Sequence, residues 1–133
     1  MLKGMMNDIE KDSMVRELRT LARGYGHTIA GSWLGEIDLD AIPVELVEMR
    51  GDTVGMTRLG CIFLKECSVP SVLFGTYIHE LRHVWQWKKH PFIYIIGKIL
   101  RPLIENDADG QEMMSEQWMD GRIDEVVENK EGL

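Results

Sequence analysis

The chain has 133 residues, 44% apolar and 28% charged, which suits one globular domain over 1–133 with a real core and is neither disordered nor fibrous. Fifteen Lys and Arg against 22 Asp and Glu give a net charge of −7, which argues against a protein built to grip the phosphate backbone of nucleic acid. The longest apolar stretch, 91–104, carries Lys98 and Arg101 and is too short and too charged to span a bilayer; no signal peptide is visible, so a cytoplasmic protein without a membrane span is expected.

Asn7 or Asp8 is suited to cap a first helix, with Ile9, Val15, Leu18, Leu21 and Ala22 on one face and Gly24 and Gly26 to stop it. The middle of the chain reads as β-rich. Residues 37–39 form a short strand, 44–49 is open between strand and helix, and 50–52 is a turn. The best strand is 57–66, with Cys61, Ile62, Phe63 and Leu64 at its centre. Along it Cys61 and Cys67 would stand about 20 Å apart, so both are expected as free thiols of a reducing compartment.

A long helix opens at Pro70-Ser71, with Ser71 as its N-cap, and ends at His90-Pro91, because a residue before proline avoids helical torsions. Residues 91–101 are a short helix or an apolar loop. A last helix starts at Pro102 and runs to about Met119, before Gly121, and the acidic tail from Asp120 is expected to be solvated. The fold class is therefore α+β: an N-terminal helix, a small mixed β-sheet, then two long helices.

The first of these long helices carries His79-Glu80-Leu81-Arg82-His83, the H-E-x-x-H pattern. Residues four apart on a helix lie on one face, about 6 Å apart at Cβ, so His79 and His83 can converge on one ion such as Zn2+. Glu80, rotated about 100° from His79, flanks that ion and can act as general base toward a water. Glu105, 22 residues after His83, supplies a candidate third ligand on the second helix. A carboxylate beside two neutral imidazoles leaves one net positive charge and an open position.

H-E-x-x-H followed by E-x-x-A-D resembles the gluzincin branch of zinc peptidases, the thermolysin-like arrangement. The resemblance implies His79, His83 and Glu105 as zinc ligands, Glu80 as general base, and Asp109 as the carboxylate that holds His79 through its far nitrogen. It also implies a small Ala108, which lets the two helices approach closely. The element order resembles the smallest gluzincin-like peptidases and phage-associated H-E-x-x-H proteins, which implies a zincin-like fold, a protein or peptide substrate, and a phage or mobile-element origin. Two other readings stay open. One is a zinc-stabilised binding or adaptor module without catalysis; the other is a regulatory peptidase of the repressor-cleaving (ImmA/IrrE) kind.

Other residues carry blander expectations. Asp107 and Arg82 read as solvated, with Lys88 and Lys89 on the same exposed face. Trp85 and Trp87 read as packing residues, and His27 as a surface or cap residue. His90, Tyr77 and Tyr94 are candidate donors to a developing oxyanion, though each suits a loop, core or rim position as well. The gluzincin resemblance also implies an edge strand before the motif helix that pairs with extended substrate, for which 58–64 is the candidate segment; an internal strand without a free edge suits that segment equally.

Overall fold

The computed structural model describes residues 6–58, 60–66, 69–99 and 101–131, the side chains of residues 103 and 122–131 excepted. Cys67 lies outside the described residues, and Cys61 is a free thiol. Among the described residues the architecture is mixed α+β, with four α-helices and one three-stranded sheet.

Helix α1 (Asp8–Tyr25) starts at Asn7, whose side chain accepts a hydrogen bond from the Glu10 amide at 2.8 Å. Val15, Leu18, Ala22 and Tyr25 face inward, whereas Ile9 is 79% exposed and leaves the expected apolar face. Gly24 lies inside the helix rather than ending it. The expected strand at 37–39 is absent: two short 3-10 turns, Ser32–Glu36 and Leu39–Ala41, bury Trp33, Leu34 and Leu39 instead.

The sheet has the order β1-β3-β2, from β1 (Val44–Val47), β2 (Gly55–Arg58) and β3 (Cys61–Lys65). Strand β3 pairs parallel with β1, Val44 opposite Ile62, and antiparallel with β2, Gly55 opposite Leu64. The single strand expected over 57–66 is thus a hairpin. Arg58 and Cys61 pair across a two-residue connection in which Gly60 has φ 77°, a left-handed conformation that suits glycine in such a turn. The break makes β3 central, so the segment 58–64 offers no free edge along β3; the edge strands are β1 and β2. Ile62 and Leu64 alternate onto the helix-facing side and are fully buried.

Helix α2 (Pro70–Lys89) begins two residues earlier than an N-cap at Ser71 would place it. Pro70 takes the first turn, where its fixed φ and missing N–H cost nothing, and Val69 is the cap residue. Helix α3 (Pro91–Ile99) occupies most of the stretch left open between helix and loop. Helix α4 (Pro102–Glu131) runs past Gly121, which does not adopt the left-handed conformation that ends a helix. Leu73, Phe74, Tyr77, Ile78 and Leu81 of α2 form the core with α1 and the sheet. Ala108 of α4 is fully buried. At Gly75 a Cβ would overlap the Glu116 side chain, so α2 and α4 cross closely at this point too. Gln111 of α4 ties the N-terminal half down: its Oε1 accepts from Tyr25 at 3.1 Å and from Trp33 at 2.8 Å.

Candidate metal centre

The α2–α4 crossing brings three donor side chains together. His83 Nε2 lies 3.2 Å from His79 Nε2 and 3.0 Å from Glu105 Oε1, and His79 Nε2 lies 3.2 Å from Glu105 Oε2. The edge of a tetrahedron with ligands about 2.05 Å from zinc is about 3.3 Å, so the spacing fits such an ion. The chemistry of the set fits as well. Two imidazole nitrogens and a carboxylate facing one another repel unless a proton or a cation lies between them.

The tautomer of His83 follows from its neighbours. Its Nδ1 is 2.8 Å from Gln86 Oε1. The Gln86 amide donates to Ile104 O at 3.0 Å and to Asp107 Oδ2 at 2.8 Å, which assigns Oε1 as the acceptor facing His83. Nδ1 therefore carries the proton and Nε2 offers its lone pair to the donor cluster. Asp107 is anchored in turn by Arg82, through Nε at 2.7 Å and Nη2 at 3.1 Å. The Arg82 guanidinium lies over the Trp85 ring at 3.9 Å and the Trp33 ring at 5.0 Å. Arg82 and Asp107, expected to be solvated, are thus the outer end of a chain leading to His83. Burial raises the Asp107 pKa, but the bonds from Arg82 and Gln86 outweigh it and hold the carboxyl below its usual value.

His79 is held differently. Its Nδ1 is buried and has two carboxylates beside it, Glu112 Oε1 at 2.9 Å and Asp109 Oδ1 at 3.2 Å, neither aligned with the N–H well enough to count as a hydrogen bond. Glu112 is the less exposed of the two, at 32% against 63% for Asp109. Burial lowers the His79 pKa, but Glu112, Glu80 and Glu105 more than offset it and raise the imidazole to about 9. Glu112 was absent from the sequence-derived site. Its signal was available: 105, 109 and 112 form one stripe at helical spacing on α4.

Glu80 is buried with one oxygen, Oε2, 3.9 Å from His79 Nε2. Its other oxygen accepts a 2.7 Å hydrogen bond from Thr57 Oγ1 of the edge strand β2. Burial pushes the Glu80 carboxyl up, against the lowering effect of Thr57 and of the two histidines. Strand β2 approaches α2 this closely because residue 55 is glycine; a Cβ there would overlap Thr76 Cγ2.

These groups open into a cleft of about 480 Å³, walled by Gly55, Met56 and Thr57 on one side and by Tyr94, Lys98 and Arg101 on the other. Of the candidate oxyanion donors, Tyr94 lines this cleft, its ring 6.4 Å from that of His83. Tyr77 is fully buried in the core, and His90 caps α2 with its ring 5.3 Å from Trp85. His27 is exposed after α1. Trp85 packs as expected and donates to Glu36 at 2.5 Å, whereas Trp87 is half exposed and stands against Tyr94. Lys88 and Lys89 both reach Glu36.

Comparison with protein-family profiles, characterised proteins and solved structures gave no match.

Proposed function

We propose that this chain is a zinc-dependent peptidase of zincin-like, gluzincin type, cleaving a protein or peptide. The observation that carries the reading is the convergence of His79, His83 and Glu105 at tetrahedral spacing, with the Glu80 carboxylate beside them in the same cleft. Bound there, Zn2+ would act as a Lewis acid toward the scissile carbonyl and make a coordinated water more acidic.

The chain's own residues supply the rest. Gln86, Asp107 and Arg82 fix the tautomer and ring plane of His83. Asp109 and Glu112 face the Nδ1 side of His79 as charged neighbours. Thr57 binds one oxygen of Glu80 and leaves Oε2 free to take the proton of the attacking water and pass it to the leaving amine. Among the described residues no strand pairs with the outer edge of β2, so an extended substrate can add there by backbone hydrogen bonds. Of Tyr94, Tyr77 and His90, Tyr94 is the one that lines the cleft and so the candidate donor to a developing oxyanion.

The test is a mixed peptide library treated with wild type, chelated wild type and Glu80→Gln, new termini being read by mass spectrometry. The expected result is cleavage by wild type that is lost in both controls, since removing a general base costs about 10²–10⁴ in rate. Zinc-loaded wild type that cleaves neither peptides nor unfolded proteins would move the reading to a zinc-stabilised binding module.

A further inference from the structure

Helix α3 turns most of its side chains to solvent although it is the most apolar helix of the chain. Phe92 and Ile99 are 81% and 80% exposed, and Ile93, Ile95 and Ile96 are about half exposed or more. Only a narrow stripe faces inward. Tyr94 packs against His83 and Trp87, and Gly97 is buried where a Cβ would overlap Ile104 Cγ2. Trp87, at the end of α2, adds a further exposed ring beside this surface. A contiguous apolar surface of this kind marks an interaction site.

Charge identifies the occupant. Residues 81–104 hold five of the chain's fifteen Lys and Arg and none of its 22 Asp and Glu. Lys88 and Lys89 are engaged with Glu36, whereas Lys98 and Arg101 stand exposed at the rim of the apolar face, Lys98 also lying 5.3 Å from the Tyr94 ring centre. With Arg82 paired to Asp107, the exposed apolar face of α3 is thus rimmed by two exposed cations, Lys98 and Arg101, in a chain that is acidic overall. Pairing with a second copy through this face would bring two sets of cations into one interface, with no acid from residues 81–104 to offset them, which is unfavourable.

We infer that α3 is an interfacial helix that seats the protein on an anionic lipid bilayer. Phe92, Ile93, Ile95, Ile96 and Ile99 enter the boundary between headgroups and acyl chains, and Lys98 and Arg101 meet the lipid phosphates. The helix lies in the membrane plane; at nine residues it cannot cross, and no helix among the described residues is long and apolar enough to do so. Tyr94, Lys98 and Arg101 also wall the cleft, so docking turns the mouth of the cleft toward the bilayer.

The full chain is sedimented with vesicles of phosphatidylcholine alone and of phosphatidylcholine mixed with phosphatidylglycerol, at low and high salt. Binding to the mixed vesicles is expected to exceed binding to phosphatidylcholine by about tenfold or more, and to weaken with salt. The double variant Phe92→Asp, Ile99→Asp changes two exposed side chains, so its melting curve should match wild type while its vesicle affinity falls at least about tenfold. Absence of wild-type binding to the anionic vesicles would overturn the inference, as would undiminished binding by the double variant. A wild-type dimer that the double variant dissolves, without vesicle binding, would assign the face to self-association instead. Glu80→Gln should bind vesicles as wild type does, so this test succeeds or fails independently of the peptidase reading.

Discussion

His83 Nδ1 and Gln86 Oε1 lie 2.8 Å apart, one helical turn along α2, and this contact decides which nitrogen of His83 faces the cleft. Gln86 is buried and its amide is spent on Ile104 and Asp107, so it cannot turn round without losing two acceptors. Gln86→Leu keeps the volume but leaves His83 free to choose its tautomer and strips Asp107 of a donor. Zinc affinity should fall about 10–100-fold, measured by competition with a chromophoric chelator, with helical content unchanged. Unaltered affinity would mean that His83 is oriented by packing alone.

Glu112, closer to His79 Nδ1 and less exposed than Asp109, should be the more important of the two carboxylates. In chelated protein His79 should titrate near 9 by NMR, and Glu112→Gln should lower that value more than Asp109→Asn does. The sign of the linkage is set by a folded pKa raised above the ordinary 6.5. The stabilisation is full below about 6.5 and is lost as the pH rises through 9, so the metal-free protein should become less stable across that window. Zinc binding at neutral pH should accordingly release a proton from His79, detectable as a buffer-dependent heat.

Thr57→Val tests the hydrogen bond to Glu80 without touching the donor cluster. Zinc content should be unchanged. Loss of that bond removes an influence that lowers the Glu80 pKa, so the acid limb of kcat/KM should move to higher pH. A profile superimposable on wild type would reject Thr57 as the group that positions Glu80.

Much of this arrangement is legible in the sequence. Proline and glycine punctuate the long helices, so α1 and α2 fall within a residue or two of their expected bounds, and the spacing of His79, His83, Glu105 and Asp109 places them on two facing helix surfaces. The hairpin was hidden because 57–66 reads as one β-rich run; its break rests on the single Gly60. That misreading also hid Thr57, whose role depends on β2 being an edge strand folded back over α2. Arg82 and Asp107 looked solvated because each is an ordinary charged residue in its own helix. Only the crossing of α2 and α4 pairs them and leads them to Gln86.

The central claim is that one zinc ion is held by His79, His83 and Glu105. Anomalous scattering at the zinc edge, from crystals of the zinc-loaded chain, tests it most directly. One peak per chain is expected about 2.0–2.2 Å from His79 Nε2, His83 Nε2 and a Glu105 oxygen. A peak among His79 Nδ1, Asp109 and Glu112, a second group of donors close enough among the described residues to hold an ion, would contradict the account, as would no peak at all.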